Sequence, residues 1–347
     1  MKNILITGGY GFMGSNFVRY LYQKYPEYRI FNLDLLTYAG NLDNLSDIEE
    51  SEANLKTADR RYQFIYGDIA DDRLLNMIFQ RHNFHLVVNF AAETHVDRSI
   101  ISMTDFIHTN IGGARALIEA VRTYSVPRLV HISTDEIYGS VDSGYSDEDS
   151  PLRPSNPYSS SKSAADLIVQ SFIRTHKVPA LIVRGSNNYG SFQYPEKLIP
   201  LAISNILEGR RIPIHGHGEH IRSWLHVIDF CRALDLVIHQ APDFEIYNIS
   251  GEEKTNLEIL RMIAGHLGVD LKEHSEHVGD RPGADTRYAV SADKLKSKLG
   301  WRPVHSVEND LSNVVKWYME NQTWWKKIKE RREYHDHYEK QSKAQWY

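Results

Sequence analysis

The chain opens with a short aliphatic run, NILIT (3–7), that passes directly into GGYGFMG and then into the amphipathic stretch SNFVRYLYQKY. Gly8, Gly11 and Gly14 recur at every third position of that turn. Glycines so placed permit a tight turn, let backbone come close to a pyrophosphate, and let the following helix pack against the strand. The helix would begin at the turn, and its free N–H groups and positive dipole end attract phosphate. A glycine trio alone is common in loops. Here the context narrows it: a strand before, a helix after, and Asp34 closing a second strand about twenty residues further on. A carboxylate there accepts both ribose hydroxyls and repels a 2′-phosphate, which points to NAD rather than NADP. Asp68 ends a third strand and either reaches the adenine edge, with Ile69 packed beside it, or caps the next helix.

Strand candidates recur at RIFNLD (29–34), YQFIYGD (62–68), LVVNFAA (86–92), RLVHIST (128–134) and ALIVRG (180–185). Helical patterns fall between them, near 14–25, 71–81, 104–124 and 157–176. Such alternation builds right-handed βαβ units and a parallel sheet with helices on both faces. The expected fold class is α/β: a Rossmann-type doubly wound sheet over 1–190, catalytic residues included, and a smaller mixed α/β substrate domain over 191–347. That boundary is approximate, and the chain is free to recross it. In the second part, strands are expected near 212–215 and 246–249, with helices near 196–209, 227–239, 255–267 and 291–299. The charged, aromatic tail WWKKIKERREYHDHYEKQSKAQWY reads as a docked surface segment rather than a core element.

Composition excludes several functions. A net charge of -5 offers no basic field for nucleic acid, and no Lys/Arg block suggests a membrane surface. The single cysteine, Cys231, rules out an intrachain disulfide and reads as a buried thiol on an apolar helix face. The first apolar run is too short for a signal peptide or a membrane span, so a cytoplasmic location is expected.

Tyr158 and Lys162 form Y-x-x-x-K in NPYSSSKSAAD, four residues apart on one helix face. A phenol is a poor base at neutral pH, but a neighbouring ammonium and a positively charged nicotinamide would both favour phenolate. In isolation the pattern is usually a solvated pair. It gains weight from the glycine turn upstream and from a strand ending in Ser133-Thr134.

TGGYGFMG, FAAETHVDRS, HISTDEIYG, NPYSSSK and SNNYGSFQYPEKLIP together resemble the extended short-chain dehydrogenases that act on nucleotide-sugars. The likeness runs from Met1 to about Trp325. Within that group, Asp135-Glu136 after Thr134 is similar to the 4,6-dehydratase branch, nearest the dTDP-glucose members; the related 4-epimerases lack the paired acid. The resemblance implies NAD as cofactor, bound by Gly8, Gly11, Phe12, Met13, Gly14, Asp34, Leu35, Thr37, Asp68, Ile69, Ala91, Ala92, Thr94, Thr109, Tyr158, Lys162 and Asn188. It implies a catalytic set of Thr134, Asp135, Glu136, Tyr158 and Lys162. Nucleotide-sugar contacts would come from Thr94, Thr134, Asn187, Glu196, Lys197, Leu198, Pro213, His215, Arg222, Asn256 and Arg281. Arginine suits diphosphate because its planar fork donates two hydrogen bonds, although any one of these could be a surface ion pair.

The implied reaction starts with oxidation at C4 as Tyr158 takes the O4 proton. Glu136 then removes the C5 proton, Asp135 protonates the leaving C6 hydroxyl, and hydride returns to C6 to give a 4-keto-6-deoxy sugar. The paired acids also make chemical sense alone. Elimination needs a base and an acid, and adjacent carboxyls couple so that one stays protonated while the other is charged. Ser223, His226 and Ala284 stand where dTDP-glucose enzymes usually carry Asp, Tyr and His. UDP-glucose or UDP-N-acetylglucosamine therefore compete as substrates, while WYMENQTWW (317–325) again resembles the dTDP-glucose members.

Two histidine strings, HGHGEH (His215, His217, His220) and EYHDHYEK (His335, His337), have spacings that could ligate zinc. One lies at a glycine turn and the other in a charged tail, and no metal is expected. The resemblance also implies a homodimer through a four-helix interface. Phe106, Leu117, Ile118 and Val121 with Leu167, Ile168 and Phe172 could form it, or could equally pack internally. Two other functions compete: a 4-epimerase, and a non-catalytic NAD-binding sensor, which would have no use for Thr134, Tyr158 and Lys162.

Overall fold

A computed structural model describes residues 1–346. In chain order its strands are β1 (Lys2–Thr7), β2 (Tyr28–Asp34), β3 (Tyr62–Tyr66), β4 (Leu86–Asn89), β5 (Leu129–Thr134), β6 (Ala180–Gly185), β7 (Asn187–Tyr189), β8 (Ile212–His215), β9 (Ile221–His226), β10 (Ile246–Ile249), β11 (Glu252–Thr255) and β12 (Ser275–Val278). Seven of them form one sheet, ordered β10-β6-β5-β4-β1-β2-β3 and parallel throughout. This is the expected α/β fold. Successive strands add outward on one side of β1 as far as β3, then on the other side from β4, so a crevice opens at the carboxyl ends of β1 and β4.

The strands are apolar on both faces because both are covered. Ile4 and Ile6 of β1 pack under the helices Phe12–Lys24 and Val227–Gln240, whereas Leu5 faces the helices Asp72–Arg81, Ala114–Thr123 and Pro157–His176. Cys231 lies buried on the first of these faces, as expected. β3 and β4 end earlier than their apolar runs suggest, at Tyr66 and Asn89, because the residues beyond turn into the crevice. The helix expected over 104–124 contains a π-helical stretch, Ile107–Gly113, that carries Thr109; such stretches are often found at functional sites. The helix Pro157–His176 starts where its sequence says it should, with Asn156 capping Ser159 in a capping box and Pro157 in the first turn.

After β6 the chain builds two small sheets, β11-β9-β7 and β12-β8, around a separate apolar cluster. β10 returns to the main sheet beside β6. The tail departs from expectation. It forms the helices Gln322–Lys329 and Arg332–Ser342, and Trp325, Ile328 and Tyr334 are buried in that second core. Its charges occupy the outer helix faces and mask an apolar stripe, which is why the composition read as surface. Even Lys329 is buried, paired with Glu208 at 2.7 Å. Of the two packings left open for Phe106, Leu117, Ile118 and Val121, the internal one holds, since all four are buried in the chain's own core; Leu167 is exposed. Among the described residues no helix is long and apolar enough to cross a membrane.

Candidate active site

The crevice is lined by every residue that the resemblance implied for the dinucleotide. Gly8 adopts φ +70°, and a Cβ there would lie 2.6 Å from the Ala91 nitrogen. A Cβ on Gly14 would lie 2.2 Å from the Gly8 oxygen. The turn therefore holds β1 against the end of β4 and brings the helix Phe12–Lys24 close. Gly11, its N-cap, makes no side-chain hydrogen bond to the first turn, so those N–H groups open on the cleft. Asp34 accepts from the Tyr10 N–H at 2.9 Å and the Leu36 N–H at 2.8 Å, and burial raises its pKa. Each carboxylate oxygen keeps a further lone pair for a ribose hydroxyl. Asp68 does not cap the following helix; Asp71 does. Asp68 instead closes a turn onto the Ala70 N–H and meets His108 at 2.7 Å.

β5 delivers the catalytic candidates. Thr134 ends the strand, its hydroxyl accepting from the Glu136 N–H at 3.3 Å, and Asp135 and Glu136 follow in a 3-10 turn. Asp135 is buried with one carboxylate oxygen unpartnered, and its pKa is pushed up to about 8 by burial and then by the Glu136 charge. Glu136 is raised as well, by burial, with Arg222 and Lys197 opposing. Tyr158 and Lys162 reach the same cleft from the facing helix. Burial and the two acids hold the Tyr158 phenol well above its ordinary value, and Thr134 lowers it. The Lys162 ammonium donates to the Ile132 carbonyl at 2.7 Å and is itself pushed down to about 8 by burial.

A second cleft adjoins the first and shares Thr94, Glu136, Asn187, Asn188, Gln193, Glu196 and Lys197 with it. Except for Thr134, which faces the first cleft, all residues implied for the nucleotide-sugar line this one. Glu136 thus stands where the two meet. Asn187 and Asn188 on β7 each leave a side-chain oxygen unpartnered. Arg222 is held by the Asp285 carbonyl at 2.9 Å and lies 4.2 Å from the centre of the Tyr288 ring. Tyr288, which sequence reasoning missed, lines the cleft and donates to Glu136. Of the three departures from the dTDP-glucose pattern, only Ala284 lines the cleft. Ser223 accepts from the Gly251 N–H at 2.8 Å, and His226 caps the next helix while stacking on His305.

The string HGHGEH does not converge: His217 is exposed, and His220 pairs with Asp280 at 3.1 Å. His337 of the tail does meet His95 and Asp97, with their ligand atoms within 4.8 Å of one another. Arg98, Lys197 and Arg281 surround this group, and His95 and His337 are held neutral, chiefly by burial and then by those cations. Asp97 is already ion-paired with Arg281 at 2.6 Å. Such a field opposes a metal cation.

Residues 5–314 match the family model described as GDP-mannose 4,6 dehydratase. The dTDP-glucose 4,6-dehydratase of Streptomyces niveus is 43% identical over 331 residues, covering 94% of this chain and 95% of that one. Among solved structures, the dTDP-glucose 4,6-dehydratase of Streptomyces venezuelae with NAD bound is 42% identical, with a TM-score of 0.88 and coverage of 94% and 99%. The Bacillus anthracis enzyme in complex with NAD is 43% identical, with a TM-score of 0.86 and coverage of 94% and 100%. A likeness of this extent shows the family: the chain belongs to the GDP-mannose 4,6 dehydratase family, alongside its dTDP-glucose 4,6-dehydratase members.

Proposed function

We propose that this chain is an NAD-dependent hydro-lyase that converts a nucleoside-diphosphate hexose, dTDP-glucose foremost, to the 4-keto-6-deoxy sugar. The observation that carries the reading is the Asp135-Glu136 pair, with Asp135 buried and raised to a pKa of about 8 and half-buried Glu136 beside it where the two clefts meet. The glycine turn, the open helix N-terminus and Asp34 fit a dinucleotide. When bound, NAD supplies the hydride acceptor for C4, the hydride returned to C6, and a positive charge beside Tyr158.

The chain's own groups handle the protons and the positioning. Tyr158 takes the O4 proton, and Thr134, which lowers its pKa, hydrogen-bonds the sugar near O4. Lys162, anchored on the Ile132 carbonyl, holds the nicotinamide ribose. Once C4 is a ketone, Glu136 removes the acidified C5 proton, Asp135 gives its proton to the departing C6 hydroxyl, which leaves as water, and Glu136 returns a proton to C5 as C6 is reduced. Asn187, Lys197, Arg222 and Arg281 are placed to hold diphosphate and sugar along the second cleft. Ser223 and His226 pack away from this cleft, so neither departure counts against dTDP-glucose; Ala284 alone faces it. Exposed Ile107 and Leu167 on the two long helices support the expected homodimer, which light scattering would measure.

The test is a panel of dTDP- and UDP-sugars, read by the base-induced absorbance of a 4-keto product. The dTDP-glucose rate should be the highest, and comparable rates on all would withdraw the nucleotide assignment. Glu136→Gln should abolish product while the purified protein keeps its NAD. Unchanged turnover in that variant would overturn the dehydratase reading.

A further inference from the structure

The helix Arg332–Ser342 reaches back across the molecule and places Gln341, 1% exposed, against the wall of the second cleft. The Gln341 amide donates to Asp97 at 3.1 Å and to the Glu196 carbonyl at 3.2 Å. Asp97 is fully buried and stands behind Arg281, with 2.6 Å between its carboxylate and the Arg281 Nε. That Nε contact lacks hydrogen-bond alignment, and those two atoms remain without a hydrogen-bond partner, while the Arg281 Nη2 donates at 3.3 Å to the other Asp97 oxygen, the one that also accepts from Gln341. Arg281 is 31% exposed and lines the cleft. Two acceptors therefore compete for one guanidinium: Asp97 behind it, and whatever anion lies in front.

We propose that the C-terminal helix is a wall of the nucleotide-sugar pocket, in which Gln341 is a positioning residue that sets Arg281 through Asp97. By donating to the Asp97 oxygen that also accepts from Arg281, Gln341 satisfies part of its charge and fixes its orientation, leaving the rest of the Arg281 fork available to the cleft. Without that amide, Asp97 draws Arg281 back, because a buried carboxylate short of partners binds the remaining cation more tightly. His95 and His337, packed edge-on with ring centres 4.8 Å apart, add bulk to the cluster but no positive charge, since both are held neutral. The inference rests on Arg281 serving the diphosphate.

Gln341→Leu removes the donor, and Gln341→Glu preserves its shape while placing a second carboxylate beside Asp97. Both should raise KM for dTDP-glucose about tenfold, the worth of one hydrogen bond to a charged group. Saturated kcat and the NAD content of the purified enzyme should stay unchanged. In an Arg281→Ala background the same changes should alter KM by less than about twofold, since the group they act through is gone. Equal multiplication of KM in both backgrounds, or an unaltered KM in Gln341→Glu, overturns the proposal. If Arg281→Ala itself leaves KM unchanged, the diphosphate role of Arg281 fails first and takes this inference with it. A raised KM in Arg281→Ala with no effect at Gln341 overturns the wall alone.

Discussion

The Tyr288 hydroxyl donates to the Glu136 carboxylate across 3.4 Å, joining two residues 152 positions apart. The same ring carries the Arg222 guanidinium on its face, so one side chain touches both the candidate base and a candidate diphosphate ligand. Burial and the Glu136 charge hold the phenol protonated, so it remains a donor. Tyr288→Phe keeps the ring and removes the O–H. Glu136 then loses a bond that lowers its pKa, and the acid limb of the kcat profile should move to higher pH. Exchange of the C5 hydrogen with solvent deuterium should slow by about tenfold, in line with one lost bond to a charged group. An unmoved limb with unchanged exchange would show that the contact is incidental.

Asp135 gives the opposite limb. Burial and its charged neighbour raise its pKa to about 8. A general acid works only while protonated, so kcat should fall as pH rises through that value. Asp135→Asn should abolish the limb and cost about 10²–10⁴-fold in rate, the usual worth of positioned proton transfer. Two coupled acids titrate as a pair, so the limb measured belongs to the dyad. A rate that stays level to pH 10 would remove Asp135 from this role.

Gly8→Ala should strip the enzyme of its cofactor. The new methyl would meet the Ala91 backbone at 2.6 Å, and φ +70° is unfavourable for any residue with a Cβ. Strain of this kind costs about 1–3 kcal/mol and pushes the turn out of register with β4. Absorbance of the purified protein near 340 nm after reduction, and dinucleotide released on denaturation, should both drop. Full retention of NAD would mean that the turn does not form the binding edge.

Much of the first lobe was legible because its signals are local. Strands buried on both faces read as unbroken apolar runs, and the helix that carries Tyr158 and Lys162 begins with its own cap, Asn156-Pro157. The acids Asp135 and Glu136 lie next to Thr134 in sequence and in space. The errors arose where tertiary contact decides. Burial sets the ionisation of Tyr158 and Lys162, and spacing on a helix does not reveal it. Tyr288 lies in an irregular segment tied to β9 by one isolated bridge at Arg287, and no periodicity marks it. Gln341 meets Asp97 from 244 positions away, out of a tail whose charge density concealed Trp325 and Tyr334.

The helix Pro157–His176, which carries Tyr158 and Lys162, is tied to β6 by a buried pair that can be tested on stability alone. Both nitrogens of the Arg184 fork meet Asp166 at 2.9 Å, and Arg184 also donates to the Tyr138 hydroxyl at 2.6 Å. Both partners are buried, at 1% and 0% exposure. Breaking such a pair leaves an uncompensated charge, whereas replacing both members with apolar groups removes the desolvation cost too. Arg184→Met should therefore destabilise the fold by about 3–5 kcal/mol in urea denaturation. Adding Asp166→Leu should recover most of that loss, because no unpaired carboxylate remains. Asp166 also raises the pKa of Lys162 against the larger effect of burial, so the double variant should lose the Lys162 proton at lower pH than the parent. Restored stability combined with an activity loss that begins at lower pH is the expected pair of results. If the single and double variants are equally destabilised, the interaction is not what holds the helix.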